Sequence, residues 1–316
     1  MGIGEKRPAP SRVEPPRAVS GVEPPFDRPR GVSPVEPLRA RLMRRPLWAD
    51  GALGTMLRAE GLGADEPPEL WTLARPEAVA AVHAAYLAVG CDLVTANTFG
   101  ANRLRLRTYG LDGQIAEINR KGVRIARGAA SGDHLVAAAI GPTGGFQRGR
   151  RIGPEGEIRA AFEEQMAVLA EAGVDLILVE TMTHLAEARV ALEASRSSGP
   201  VPVAVTLVFF DQGGAPHTLD GASPGEAVRD LSGADMLGCN CVEVEMALAV
   251  LEEMQEATTL PLVVQPHAGL PGTPRTPEAM ARFVPALLTP AVGIFGGCCG
   301  TTPAHLQAVI QAARHA

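Results

Sequence analysis

The sequence lacks the features that mark membrane, secreted and nucleic-acid-binding proteins. No apolar run approaches the roughly 18 residues that a transmembrane helix needs, and the N-terminus has no apolar signal-peptide core. Lysine and arginine together number 29 against 35 aspartates and glutamates, so the basic excess typical of nucleic-acid binding is missing. We therefore predict a protein that acts without nucleic acid and without a membrane.

Cysteine is also scarce, with five residues in a chain of 316. Four of them fall in two short segments, as Cys239 and Cys241 and as Cys298 and Cys299. This clustering favours metal binding or catalysis in a reducing compartment over a disulfide framework. We expect a cytoplasmic protein, and the composition of 46% hydrophobic and 20% charged residues is typical of a globular one.

Residues 1–44 differ in composition from the rest of the chain. They are rich in proline and arginine and show almost no apolar periodicity. Such a segment cannot bury enough surface to offset its ordering entropy, so the sequence predicts a disordered tail. Residues 45–316 then form a single domain.

From residue 45 onward, short apolar runs alternate with helical patterns. The runs cover residues 47–49, 92–95, 135–140, 176–179, 203–208, 235–237, 262–265 and 291–295. The helical patterns cover residues 76–89, 112–130, 155–172, 184–197, 223–232, 243–257, 277–288 and 303–314. Eight such units with continuously apolar strands are typical of an α/β protein with a parallel sheet closed into a (β/α)8 TIM barrel.

An open doubly wound sheet is the competing fold, and it would usually have fewer units and a glycine-rich first turn. The segment Asp-Gly-Ala-Leu-Gly-Thr at residues 50–55 resembles a phosphate-binding turn. It lacks the third glycine at the dinucleotide spacing. We therefore favour the barrel.

Two adjacent cysteines form the most distinctive motif, Gly-Gly-Cys-Cys-Gly-Thr-Thr-Pro at residues 296–303. Neighbouring side chains on a strand point to opposite faces, so Cys298 and Cys299 converge only where the backbone turns sharply, which the flanking glycines permit. Two such sulfurs suit zinc, and the loop Gly-Cys-Asn-Cys at residues 238–241 is the obvious source of a further ligand. The alternative is that the pair consists of small core residues or forms a vicinal disulfide.

The barrel prediction places further polar residues near these cysteines. Catalytic groups in this fold lie where strands end and βα loops begin. Asp50, Asn97, Glu180 and His267 occupy such positions in the sequence. Thiols, carboxylates and an amide are therefore expected at one rim.

Six motifs in order resemble the zinc-dependent homocysteine S-methyltransferase family, which includes betaine- and S-methylmethionine-dependent enzymes and the homocysteine module of cobalamin-dependent methionine synthase. They are residues 50–55, Thr-Ala-Asn-Thr-Phe-Gly-Ala-Asn at 95–102, Gly-Pro-Thr-Gly at 141–144, Val-Glu-Thr at 179–181, residues 238–241 and residues 296–303. The resemblance runs from about residue 46 to the C-terminus.

The resemblance implies a role for each matching residue. Cys241, Cys298 and Cys299 would be the zinc ligands and the catalytic centre, while Cys239 takes no ligand role and the role of His267 is open. The implied substrate contacts are Asp50 and Glu180 to the amino-acid end of homocysteine, Gly54 and Thr55 to its carboxylate, and Asn97 as a polar residue lining the site.

The reaction implied is methyl transfer to homocysteine, giving methionine. Zinc would hold the substrate sulfur as a thiolate, which attacks the methyl group of a donor. The donor is either a small molecule such as S-methylmethionine or a corrinoid- or methylfolate-bearing partner protein. The chain has no Asp-x-His-x-x-Gly cobalamin signature and is short for carrying such modules itself.

Two functions of other classes stay open at the level of sequence. In the first, residues 296–302 and the following helix bind phosphate in a barrel lyase or isomerase. In the second, Cys239 completes a closed four-cysteine zinc site in a noncatalytic module.

Overall fold

The fold is an eight-stranded parallel barrel surrounded by helices, as the alternating sequence pattern predicts. A computed structural model describes residues 35–270 and 273–315. The barrel strands are β1 Leu47–Trp48, β2 Leu93–Ala96, β3 Leu135–Ile140, β4 Leu176–Met182, β5 Val203–Leu207, β6 Met236–Asn240, β7 Leu262–Gln265 and β8 Val292–Phe295. From β2 to β8 each strand pairs with its neighbour in sequence, β8 pairs with β1, and an isolated parallel bridge between Ala49 and Leu93 closes the sheet.

The first helix precedes the first strand, and the other helices follow the strands on the outside of the barrel. They are α1 Val35–Leu42, α2 Leu53–Ala59, α3 Leu70–Ala74, α4 Pro76–Ala88, α5 Arg103–Arg107, α6 Ile115–Ala129, α7 Glu155–Glu171, α8 Leu185–Ser195, α9 Pro224–Asp230, α10 Val244–Ala257, α11 Pro277–Ala281, α12 Val284–Leu287 and α13 Pro303–Ala313. None of them is both long enough and apolar enough to cross a membrane.

One predicted helix is interrupted. The sequence predicts a continuous helix over residues 277–288, whereas the structure has α11 and α12 with a break between them. Pro285 lies in the first turn of α12, and its ring would clash with the carbonyl of Ala281 in a continuous helix. The first helix therefore ends at Ala281.

The barrel interior is filled by alternate residues of the strands. Every strand contributes to one buried apolar cluster, through Leu47, Leu93, Ala137, Leu178, Ala204, Met236, Val263 and Ile294 in chain order. The residues between them, such as Cys239, face the helices in a second cluster. This alternation sends the last inward positions of the strands to the carboxyl-end rim.

The structure corrects the predicted tail at its C-terminal end. Residues 35–42 form α1, and Leu38 is buried in the same apolar cluster as the barrel interior. Arg41 and Arg45 both form ion pairs with Asp92, the residue before β2, so α1 covers the amino-terminal end of the barrel. Sequence analysis missed this helix because its burial depends on contacts with strands far along the chain. Residues 1–34 of the predicted tail lie outside the described residues.

Candidate active site at the carboxyl rim of the barrel

The structure brings three cysteine sulfurs together at the rim. Cys241 follows β6, Cys298 and Cys299 follow β8, and their sulfurs all lie within 4.8 Å of one another, with 3.5 Å between Cys241 and Cys299. Two sulfurs that bind one zinc ion tetrahedrally, each at about 2.3 Å, lie about 3.8 Å apart. The cluster thus has the donor type and spacing of a metal site.

Cys239 does not belong to this cluster. It is fully buried among apolar side chains between the sheet and the helices. Cys241 reaches the rim because it leaves the strand with a φ of +55°, a left-handed conformation uncommon for a non-glycine residue. The four-cysteine zinc site considered above is therefore not formed.

The turn that carries Cys298 and Cys299 is held by Thr301. The fully buried Thr301 hydroxyl donates to the Cys298 carbonyl and accepts from the Ala52 main-chain N–H. A Cβ atom added to Gly297 would lie 2.5 Å from the same hydroxyl oxygen. Glycine at this position is required because the threonine occupies the space beside it.

The thiols of the cluster differ in pKa. Cys299 is exposed, and hydrogen bonds from Cys241 and Cys298 lower the pKa of its thiol to about 3. The hydrogen bonds with Cys241 and Cys299 raise the pKa of Cys298. A negative charge is thus favoured at the most accessible of the three sulfurs.

Two carboxylates lie at the same rim and interact with each other, and Glu180 also interacts with the charge of Cys299. Asp50 is 2% exposed, and burial raises its pKa to about 7, although Thr95 donates to it from its N–H at 2.9 Å and its hydroxyl at 2.8 Å. Glu180 is half-buried at the rim; desolvation by the surrounding protein raises its pKa to about 8, to which the charges of Asp50 and Cys299 contribute. Two neighbouring carboxyl groups whose ionisation is disfavoured form a site that favours a bound cation, because a cation stabilises their charged forms.

Gly54 and Thr55 lie in the first turn of α2, half-buried beside the cysteine turn. The Thr55 hydroxyl accepts from the Gly300 main-chain N–H at 3.1 Å and so joins the β1 loop to the β8 loop. Asn97 is buried, and its side-chain amide donates to the Pro68 carbonyl and to Thr72. Both N–H groups of Asn97 are therefore used within the protein, and only its Oδ1 is left for a substrate.

Sequence reasoning gave no role to Thr181 and Asn240, although both belong to motifs that it singled out. Asn240 is fully buried at the end of β6 and bonds to Thr181, to Thr206 and to the Cys298 sulfur. The signal in the sequence was a polar residue at the last inward position of an apolar strand.

His267 is not part of the cysteine cluster. Its Nδ1 accepts from the Gly269 main-chain N–H at 3.0 Å, and its Nε2 lies 3.7 Å from a carboxylate oxygen of Glu243. These contacts fix the ring beside Cys299, whose pKa it helps to lower.

In the phosphate cradle considered above, every main-chain N–H of residues 300–302 already has an acceptor. Within residues 297–302, the N–H groups of Gly297, Cys298 and Thr301 donate to main-chain carbonyls. Those of Gly300 and Thr302 donate to the side chains of Thr55 and His305. An anion would have to displace these bonds, so the geometry does not support a phosphate site.

Comparison with known proteins agrees with this geometry. The chain is similar to the methionine synthases of Mycobacterium tuberculosis and Mycobacterium leprae, each 29% identical over an aligned length of 304 residues, with 86% of this chain covered. The chain spans only about a quarter of the length of these relatives, 25% and 24% respectively. The metallated form of the Escherichia coli homocysteine methyltransferase MmuM superimposes with a TM-score of 0.76 at 28% identity, covering 88% of this chain and 99% of the other.

The homocysteine S-methyltransferase family model matches residues 47–313, which include the whole barrel and every cysteine of the cluster. On this match the chain belongs to the homocysteine S-methyltransferase family.

Proposed function

We propose that the protein transfers a methyl group to the sulfur of homocysteine, forming methionine, and that Cys241, Cys298 and Cys299 hold a zinc ion for this reaction. The observation that carries the proposal is the cluster of three thiols next to two carboxylates of raised pKa. Three protein ligands with an accessible side are typical of catalytic zinc, whereas structural zinc has four. Zinc, when bound, would lower the pKa of a substrate thiol so that the sulfur is a thiolate at neutral pH.

Asp50 and Glu180 bind the ammonium group of homocysteine in this proposal. Desolvation makes each carboxylate costly to ionise, and a bound ammonium removes that cost by pairing with it. The first turn of α2 at Gly54 and Thr55 receives the substrate carboxylate, and Asn97 lines the same site. Fixing the amino-acid end sets the position of the side-chain sulfur, so these residues contribute orientation rather than proton transfer.

The methyl donor approaches the exposed side of the site at Cys299. With zinc bound, three thiolates on a divalent ion would leave the metal site with a net negative charge, which attracts a cationic donor such as the sulfonium S-methylmethionine. We therefore propose a small onium compound as the donor. A methyl group carried by a corrinoid- or methylfolate-bearing partner protein is the other possibility, and the activity test separates the two.

The test has two parts. Metal analysis of the purified protein should find one zinc per chain, and homocysteine should bind to the zinc-loaded protein but far more weakly to the metal-free one. Methionine formation is then measured with S-methylmethionine, betaine and methylcobalamin as donors. Absence of zinc binding by the purified protein would refute the proposed mechanism. Activity with methylcobalamin alone would favour a corrinoid carrier over the sulfonium.

We propose a cytoplasmic location on related grounds. All five cysteines are free in the structure, and a site of three closely spaced thiols stays reduced only in a reducing compartment. Fractionation of cells that express the protein tests this location.

A further inference from the structure

Asn240 connects the cysteine cluster with the strand segment that carries Glu180. Its Oδ1 accepts from the Thr181 main-chain N–H at 2.8 Å and from the Thr206 hydroxyl at 2.9 Å. Its Nδ2 donates to the Thr181 hydroxyl at 2.7 Å and to the Cys298 sulfur at 3.7 Å. All four hydrogen-bonding positions of the amide are thus occupied inside the barrel mouth.

The orientation of this amide is determined by its surroundings. A main-chain N–H can only donate, so the side chain must turn its oxygen toward Thr181 N. The NH2 group then faces Cys298 and donates to its sulfur, which is a hydrogen-bond acceptor. Rotation of the amide by 180° would place two donors against each other at Thr181.

Thr181 itself is held in an unfavourable backbone conformation. Its φ is +60°, a left-handed conformation that is sterically unfavourable for a β-branched residue. The register between β4 and β5 shifts between Val179 and Met182, so Glu180 and Thr181 form an irregularity in the strand. Glu180 follows the alternation that places Leu178 in the barrel interior, whereas Met182 packs in the outer cluster, so the regular alternation ends directly after Glu180, at Thr181. Asn240 bonds to Thr181 through both the main chain and the hydroxyl and so stabilises this conformation.

We infer that Asn240 is a positioning residue that fixes the Cys298 sulfur and the direction of Glu180 relative to each other. The inference rests on the proposed function and deepens it. The sulfur of homocysteine must reach the metal while its ammonium reaches the carboxylates, and the short carbon chain between these two groups limits the distance that they can span. A side chain that ties the two halves of the site together keeps their separation constant when the substrate is absent.

Asn119 provides a matched control. It is also a fully buried asparagine, its amide donates to the carbonyls of Ala101 and Ile115, and its oxygen accepts from Gln165. These contacts lie on α6 and its neighbours, outside the cysteine cluster. Asn119→Ala should therefore lower the stability of the fold without changing the binding of zinc or of an amino acid. A role of Asn240 beyond stability then appears as weaker binding in Asn240→Ala than in Asn119→Ala.

The experiment compares Asn240→Ala and Asn119→Ala with the wild-type chain by two binding measurements. Zinc affinity is measured by chelator competition. Binding of 2-aminobutyrate, an amino acid without a thiol, is measured by calorimetry on metal-free protein, where it reports the carboxylate end alone. We expect Asn240→Ala to lower zinc affinity about 10- to 100-fold, as loss of a ligand's hydrogen-bond partner usually does, and to weaken 2-aminobutyrate binding as well. Asn119→Ala should leave both affinities at the wild-type level.

A second variant covers the case in which Asn240→Ala does not fold. Asn240→Asp keeps the acceptors for Thr181 N and Thr206, so 2-aminobutyrate binding should stay near the wild-type value. Wild-type affinities for both ligands in Asn240→Ala, or loss of 2-aminobutyrate binding in folded Asn240→Asp, would overturn the inference while the proposed function stands. Failure of the wild-type chain to bind zinc would refute the proposed function itself.

Discussion

The sulfurs of Cys241 and Cys299 lie 3.5 Å apart although the two residues are separated by 58 positions in the chain. They follow β6 and β8, and β7 lies between these strands. Contact across an intervening strand requires both loops to bend toward the barrel axis. The left-handed backbone at Cys241 and the glycine-flanked turn at Cys298 provide these bends.

Serine substitutions at Cys239 and Cys241 should show that these two cysteines of the β6 segment have different roles, one in the core and one in metal binding. Cys241→Ser removes one of three clustered thiols, so the protein should lose most of its zinc. Cys239→Ser places a hydroxyl in an apolar cluster, so it should keep zinc but lose roughly 1–3 kcal/mol of unfolding free energy. Zinc content by mass spectrometry and urea unfolding give both results. Equal zinc loss in the two variants would contradict the assignment of Cys241.

The stability of the substrate-free protein should depend on the protonation of Glu180. The folded state raises its pKa from 4.5 to about 8, so the folded protein binds this proton more tightly than the unfolded chain does. Its contribution to the unfolding free energy therefore falls as pH rises from about 4.5 to about 8. Glu180→Gln should remove this loss and raise the melting temperature at pH 8 more than at pH 5. Equal effects at both pH values would show that Glu180 is not the group concerned.

Binding of an amino acid should show the opposite dependence on pH. Asp50 and Glu180 have pKa values of about 7 and 8 because desolvation disfavours their charged forms, and only those charged forms attract an ammonium group. The affinity of metal-free protein for 2-aminobutyrate should rise between pH 6 and pH 8, and Asp50→Asn should weaken the binding and flatten the profile. Calorimetry at constant ionic strength measures this. An affinity that does not vary with pH in the wild-type protein would argue against ammonium binding here.

His83 on α4 should destabilise the fold. It is fully buried, and neither ring nitrogen has a hydrogen-bond partner among the described residues. Burial lowers its pKa to about 4, so the unfolded chain takes up a proton first and stability is lost as pH falls from 6.5 toward 4. His83→Leu should raise the unfolding free energy by about 1–3 kcal/mol at pH 7, and by more at pH 5. Denaturant unfolding at the two pH values tests both parts, and a destabilised variant would indicate a partner for the histidine.

Helix α1 should stabilise the barrel from its amino-terminal end. Leu38→Ala removes a buried side chain from the interior cluster and should cost about 2–5 kcal/mol. Met43→Ala is the control, because Met43 is 88% exposed one residue beyond the same helix. Urea unfolding compares the two. A small effect at Leu38, similar to that at Met43, would mean that α1 is not required for stability.

Much of the fold could be predicted from the sequence because it depends on local patterns. The strands Leu135–Ile140 and Leu262–Gln265 have the predicted bounds, since a strand buried on both faces is apolar along nearly its whole length and such a run is easily seen in the sequence. The adjacent cysteines, their flanking glycines and the second cysteine loop at residues 238–241 together indicated a metal site, because clustered thiols between glycines suit a soft or borderline metal. The eight strands in order then implied that polar residues at their ends lie on one rim.

Tertiary structure alone decided the features that depend on direction and on distant contacts. Burial of Leu38 beneath the barrel, the use of both Asn97 donors by Pro68 and Thr72, and the link from Asn240 to Thr181 and Cys298 all join residues far apart in sequence. The hydrogen-bonding capacity of a side chain is a property of its residue type, but the partner that satisfies it is set by the closed barrel. The sequence therefore determined which chemical groups are present, and the packing of the strands determined which of them meet.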